Sequence, residues 1–325
     1  MRPDFIFHVG ANKTGSSAIQ RFISENVHNF WSADIALPDY QLEWGNEISG
    51  EQVLRFAALM EHPDAKQQIS EVLDRLYATR PPGSTVLISA ENLANLSNPG
   101  AWAEALAKFH VQVILYIRRQ DEFLASSWQQ WHSKTNLTFD SWLTEGTETL
   151  GHWESIILSW EELVGRDRLD VRIFDRDSFV ENNIVLDFAE AIGLTCPREA
   201  LILSNEPANP SPHPAVTALV SGNTAIFANE HDNNFFDLTA PLSSTLYSGS
   251  NVSLMTKSQR ETVIAAYAEE NERVRARCFP DRETLFPQVD HSRYEYPDFE
   301  SEVRVQLRFL TEVAYGIVKE RHERQ

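Results

Sequence analysis

Residues Phe5 to Ile23 read FIFHVGANKTGSSAIQRFI. A short apolar run enters a turn that holds Gly10, Lys13, Thr14, Gly15, Ser16 and Ser17, and the turn opens into an amphipathic stretch. The first part suits a strand covered on both faces, and the last part suits a helix. Glycine lets the backbone turn closely, and the first N–H groups of the following helix carry partial positive charge out of its start. Two hydroxyls and one lysine stand beside them, so the turn is a cradle for an anion. The familiar phosphate loop G-x-x-x-x-G-K-[ST] places its lysine after the second glycine. Here Lys13 precedes Gly15, so the order is not that of a Walker A loop, although the physics of the cradle carries over. The plain alternative is an ordinary turn in which Ser16 only caps a helix.

Three further runs are dense in Val, Ile, Leu and Phe: TVLISA (85–90), VQVILYI (111–117) and LDVRIF (169–174). With FIFHV (5–9) they predict four parallel strands. Helices are predicted between them over 16–29, 51–78, 101–110, 120–133 and 153–164. Strand and helix alternating in this way predict an α/β fold, a P-loop-like parallel sheet flanked by helices, with ligands gathering at the carboxyl ends of the strands. Four prolines fall within SNEPANPSPHP (204–214), which predicts a connector. The expected organisation is therefore a core over 1–203, that connector, and a mostly helical cap of the same domain over 215–325. The cap's helices are expected over 215–229, 257–277 and 299–321, with a polar loop at NEHDNNFFD.

The chain has 325 residues, 42% hydrophobic and 23% charged, an ordinary balance for a globular protein. Its formal charge of −19, from 47 acidic and 28 basic residues, argues against a general nucleic-acid binder. It also means that any anionic ligand must be held by a few local cations. No apolar run reaches the roughly 18 residues that cross a bilayer, and the first strand starts too soon for a secretory leader. A cytoplasmic protein without a membrane span is expected. Cys196 and Cys278 lie far apart with no Cys/His cluster around them, so two reduced, buried thiols are expected, with neither a disulfide nor a zinc site. The glycosylation patterns at Asn95, Asn136 and Asn251 then read as chance matches.

HVGANKTGSSAIQ resembles the 5′-phosphosulfate loop of sulfotransferases that use 3′-phosphoadenosine 5′-phosphosulfate (PAPS). The resemblance implies that Asn12, Lys13, Thr14, Gly15, Ser16 and Ser17 hold the 5′-phosphate and sulfate. The cytosolic aryl branch has tryptophan where this chain has Ala18. A second stretch, RRQDEFLASSW (118–128), is similar to the family's 3′-phosphate motif, an Arg at a strand end and a Ser eight residues later. A guanidinium grips phosphate oxygens as a fork, and a helix hydroxyl closes the other side. Arg118 with Ser126 fits, as does Arg119 with Ser127. The first pair is preferred because Glu122 then falls at the family's acidic position, while Gln120 replaces a common proline. Residues 152–180 resemble the following helix and strand of bacterial members.

The resemblance implies sulfuryl transfer from PAPS, leaving 3′,5′-ADP (PAP), to a hydroxyl or amine of a carbohydrate or glycoconjugate, with no metal. Lys13 would neutralise the bridging oxygen as it leaves. A base is wanted at a neighbouring strand end, and Glu91 in TVLISAENLANLS is the candidate. Glu47, His132 and His8 stand in reserve, His8 reading equally as a core histidine. Trp128, Trp131 and His132 form either an aromatic platform or core. The aryl branch's R-K-G loop has no clear counterpart. Two rivals remain, a nucleotide kinase using the loop for ATP and an inactive nucleotide-binding homologue.

Overall fold

The computed structural model describes residues 2–11, 13–45, 48, 52–94, 99–135, 137–204, 211–249 and 251–323. Five strands occur among them: β1 (Phe5–His8), β2 (Ile35–Ala36), β3 (Thr85–Ser89), β4 (Val111–Ile117) and β5 (Leu169–Ile173). The first helices are α1 (Ser16–Glu25), α2 (Val27–Ser32), α3 (Val53–Glu61), α4 (Ala65–Thr79) and α5 (Pro99–Leu106). Next come α6 (Gln120–Gln130), α7 (Phe139–Thr149), α8 (Trp153–Val164), α9 (Ile184–Ala191) and α10 (Pro214–Val220). The last are α11 (Asn234–Thr239), α12 (Lys257–Ala266), α13 (Ala268–Cys278) and α14 (Phe299–Glu323).

The chain divides into two compact units. The first comprises Met1–Arg118, Trp153–Ala208 and Arg273–Pro280 and holds the whole sheet. Its strands run in the order β2-β3-β1-β4-β5, every neighbouring pair parallel. The predicted α/β class with a parallel sheet is what the chain adopts. β1 sits in the middle, and all four of its residues are buried, as a strand covered on both faces requires. Alternation sends Phe5 and Phe7 to one face, where Phe7 meets Trp102 of α5 at 6.1 Å between ring centroids. Ile6 and His8 point to the other face, where Ile6 joins Ile19 and Phe22 of α1 and Phe188 of α9. The helix after β1 and the helix after β3 therefore cover opposite faces of adjacent strands. Two such connections diverging leave a crevice at the strands' carboxyl ends.

The second unit comprises Arg119–His152, Asn209–Glu272 and Asp281–Gln325. It takes in residues 119–152, which the expected boundary at 204–214 had left with the core. One of its apolar clusters gathers Val216, Val220, Phe227, Phe236, Leu246 and Phe309. Charge is buried in it too. Asp121, fully buried, pairs with the buried Arg260 and accepts from Arg119 Nε at 2.6 Å, while the Arg260 guanidinium lies 3.9 Å from the Tyr294 ring centre.

Several predicted elements differ in extent. The helix expected over 51–78 is broken between α3 and α4, because Pro63 forces His62 out of helical geometry to φ −69°, ψ 139°. The one expected over 16–29 ends at Asn26, whose side chain bonds the Phe22 and Ile202 carbonyls at 2.9 Å each. Residues 215–229 supply only α10, and 257–277 forms two helices, α12 and α13. The loop expected at NEHDNNFFD holds over 229–233, but its last four residues begin α11, which buries Phe236. Two-residue β2 is too short for a sequence pattern to betray. Cys196 and Cys278 are free but only half-buried, not the buried thiols expected.

Candidate active site

The turn after β1 carries Lys13 at φ 66° and Gly15 at φ 82°, two visits to left-handed backbone within three residues. For Gly15 the requirement is the stronger of the two. A Cβ there would lie 2.7 Å from Phe174 Cε2, closer than carbon atoms tolerate, and 3.2 Å from Ile184 Cγ1, a tight contact. Lys13 accepts the conformation at a cost of about 1–2 kcal/mol, and strain of this kind concentrates at functional turns. Gly15 is the residue before α1, and the Ala18 and Ile19 N–H groups return to its carbonyl at 3.0 and 3.1 Å. A helix start leaves the preceding N–H groups directed outward, where they favour negative charge. Thr14 is buried, and its hydroxyl donates to the Ala11 carbonyl, bracing the turn from inside. Asn12 lies outside the described residues.

Glu91 follows β3 and opens a short 3-10 turn, Glu91–Leu93. It accepts a hydrogen bond from Ser16 Oγ, so the residue proposed as base touches the first residue of α1. Two contacts position its turn. Trp160 Nε1 donates to the Leu93 carbonyl at 3.1 Å, and the buried Gln52 clamps Ser89 through its carbonyl oxygen at 2.9 Å. These residues meet in the crevice that the sheet topology provides between β1 and β3.

Arg118 follows β4, on the other side of β1. Its Nη1 donates to the Lys13 carbonyl at 2.9 Å, and its guanidinium lies 5.2 Å from the Phe174 ring centre. Trp153 Nε1 holds the Arg118 carbonyl at 2.8 Å. Burial is the largest influence on Lys13, and with the nearby charge of Arg118 it pulls the ammonium down to about 8, against an opposing pull from Glu91. A lysine so placed holds its proton less tightly than an exposed one, and a nearby anion would restore that hold.

Lys13, Thr14, Gly15, Ser16, Ser17, Glu91 and Arg118 thus belong to one region of the first unit. Ser126 stands half-buried on α6 of the second unit. In that unit Arg119 is bound to Asp121 and to Glu122 Oε1 at 3.0 Å, and Ser127 is buried. Among the reserve candidates, Glu47 lies outside the described residues. His132 packs at a tilt against Trp142, 4.9 Å between ring centroids, and burial lowers its pKa. Trp128 is core, packed 5.6 Å from Trp142.

His8 is wholly buried, which lowers its pKa to about 3, so the imidazole is neutral. Its Nδ1 shares a hydrogen bond with Ser89 Oγ at 2.9 Å, whereas Nε2 has no partner among the described residues. The core reading of His8 accounts for one nitrogen only. A Cβ on Gly10 would lie 3.4 Å from Nε2, which gives Gly10 its close approach. Sequence reasoning missed Gln52, Trp153, Trp160 and Phe174, which fix the site through contacts that no local motif announces. Among the described residues no group of three or more His, Cys, Asp or Glu is arranged to hold a metal, and no helix is long and apolar enough to cross a membrane.

No protein-family model matches the chain. An uncharacterized protein of Archaeoglobus fulgidus is 33% identical over 100 residues, 29% of this chain. The match spans about a quarter, 26%, of that curated relative. Among solved structures, the chain is similar to a sulfotransferase from Alicyclobacillus acidocaldarius, at 15% identity and a TM-score of 0.48, over 86% of this chain and 96% of that one. It is also similar to mouse sulfotransferase SULT7A1 complexed with PAP, at 17% identity and a TM-score of 0.34, over 61% of each chain.

Proposed function

We propose that the protein is a PAPS-dependent sulfotransferase that transfers the sulfuryl group to a hydroxyl or amine of a carbohydrate or glycoconjugate. One observation carries the reading. Arg118 Nη1 donates to the carbonyl of Lys13, so the basic residues of two motifs 105 positions apart meet beyond the ends of neighbouring strands. A single loop with glycines could be an ordinary turn. Two cation-bearing motifs converging on one helix start are what a ligand with two separate phosphates demands.

PAPS supplies an activated sulfuryl group on a phosphate leaving group. Lys13 and the start of α1 bind the 5′ end, where negative charge grows on the bridging oxygen as its bond to sulfur breaks. The lowered pKa of Lys13 fits this role, because a desolvated ammonium interacts more strongly with a developing charge than a hydrated one. Arg118 takes the 3′-phosphate, and Ser126 is assigned with it on the motif alone. Glu91 receives the acceptor's proton as the new sulfur–oxygen or sulfur–nitrogen bond forms. Ser16 now donates to Glu91. When Ser16 turns to the anion, the carboxylate loses that donor and becomes the stronger base.

Thermal shift with 3′,5′-ADP, PAPS and ATP–Mg²⁺, followed by sulfate transfer across a panel of saccharides, tests the reading. A ligand at about 100 times its Kd stabilises by about 2.7 kcal/mol, a shift of a few degrees for a chain of this size. Preference for ATP–Mg²⁺ over 3′,5′-ADP would overturn the proposal in favour of a kinase. Binding of 3′,5′-ADP without transfer to any acceptor would leave a nucleotide-binding homologue.

A further inference from the structure

The longest helix of the second unit has one face too many. α14 spans 25 residues, about 37 Å. One face holds it to its unit. Phe309 is buried with Val305 and Val313 against the cluster of Val216, Val220 and Phe236. Gln306 Nε2 donates to the Ala215 carbonyl at 3.0 Å, and Glu312 accepts from Ser243 Oγ at 2.7 Å.

A second face, turned away from that anchor, carries Val303, Leu307, Leu310, Ala314 and Ile317 at successive spacings of four, three, four and three. That is the seam of a coiled coil. Leu307 is 60%, Leu310 48% and Ile317 45% exposed, and Phe299 at 81% and Val318 at 65% flank them. Single exposed apolar residues need no explanation, but a continuous stripe at this spacing does.

The geometry points to a second copy of this chain as the occupant, with the two α14 helices packed antiparallel through this seam. A heptad row is complementary to itself, since each apolar knob finds on an identical row the hole it needs. Charge sets the direction. The row begins at Glu300 and ends at Arg321, three before Val303 and four after Ile317. The first turn of α14 is acidic, with Glu300 and Glu302, and the last basic, with Arg321 and His322. An antiparallel pair sets each acidic end beside a basic one and opposes the helix dipoles, whereas a parallel pair stacks like charges. Glu300 already pairs with Arg304 at 2.8 Å, but both side chains are more than three-quarters exposed, and such a pair is cheaply exchanged. This inference is independent of the proposed activity.

Sedimentation of the full chain at about 100 μM, above the Kd of most standard-size interfaces, should give twice the monomer mass. The double variant Leu307→Glu/Leu310→Glu should sediment as a monomer with an unchanged far-UV circular dichroism spectrum. Should that variant fail to fold, Ile317→Lys alone should still weaken dimerisation at least tenfold. In a Cys196→Ser/Cys278→Ser background, a mixture of Glu300→Cys and Arg321→Cys proteins should form a mixed disulfide, and Glu300→Cys alone should form none. A monomer at this concentration, a dimer that the stripe variants leave intact, or self-cross-linking of Glu300→Cys would overturn the inference. So would a monomer that binds phosphatidylcholine/phosphatidylglycerol vesicles through Leu307 and Leu310.

Discussion

Raising the pH from 7 to 9 should weaken binding of 3′,5′-ADP about tenfold. The magnitude follows from Lys13, whose pKa stands at about 8 in the free protein. At pH 7 roughly nine molecules in ten carry the ammonium, and at pH 9 roughly one in ten does. A phosphate beside it restores the charge, so the complex must take up the missing proton, on average about 0.1 at pH 7 and about 0.9 at pH 9. The ligand's phosphates have their second pKa near 6 and are already about nine-tenths ionised at pH 7, so their own titration changes the affinity by only about a fifth across this window. An ordinary lysine, titrating near 10.4, would leave the affinity almost flat.

Isothermal titration in two buffers of different ionisation enthalpy measures both Kd and proton uptake. Lys13→Met is the control and should abolish both trends. The stability of the free protein must move the other way. Lys13 has its folded pKa below the reference 10.5, so the unfolded chain binds more protons between about 8 and 10.5. Unliganded stability therefore rises with pH through that window. Below it, the buried ammonium costs on the order of 3 kcal/mol, which the anion relieves. A Kd constant within twofold from pH 7 to 9, or the same slope in Lys13→Met, would refute the reasoning.

Arg118→Ala should weaken 3′,5′-ADP by about 1.5–3 kcal/mol, the worth of a charged hydrogen bond, while turnover at saturating donor is largely kept. Equal affinity by titration would remove Arg118 from the site. Glu91→Gln retains an acceptor for Ser16 but no base, so kcat should fall by roughly 10²–10⁴ with a good acceptor, and near-normal turnover would discard the assignment. Gly15→Ala forces a Cβ to within 2.7 Å of Phe174 Cε2 at φ +82°. It should cost at least about 2 kcal/mol, backbone strain plus displaced ring, in urea unfolding. A change below about 0.5 kcal/mol, the level of an ordinary surface substitution, would mean that the turn relaxes freely.

The fold was legible because its inner strands, β1, β3 and β4, are buried on both faces. VQVILYI forms β4 over its whole predicted length, and a run that apolar has few other uses. Breaks were less legible where they depend on one residue. Pro63 could have been read as the end of α3, since the chemistry of proline is local, whereas Asn26 ends α1 by bonding Ile202, far along the chain. The site divides in the same way. Lys13, Gly15 and Ser16 announced themselves by spacing. Trp153 and Trp160 did not, because an indole that donates to a strand-end carbonyl looks, in sequence, like any other core aromatic. The same blindness applied to α14, where apolar residues predict a helix but not that its two apolar faces serve different ends.

The acidity of the chain explains why so much of the first unit serves two cations. With a formal charge of −19, the distant field repels any anionic ligand. Salt screens that field beyond about 8 Å at physiological ionic strength, so attraction must come from charges nearly in contact with the ligand. Surface lysines would serve poorly, being mobile and hydrated. Lys13 and Arg118 are instead close enough for one to lower the pKa of the other, a mutual repulsion that the protein sustains by burying the first and tying the second to the backbone. Glu91 offsets part of that repulsion, and it also accepts from Ser16. On the proposed reading, an anion that enters would replace the carboxylate as counter-charge to Lys13 and as acceptor for Ser16. Like charges thus oppose one another here, and on the proposed reading the ligand that relieves them would be one whose negative groups fall on both at once.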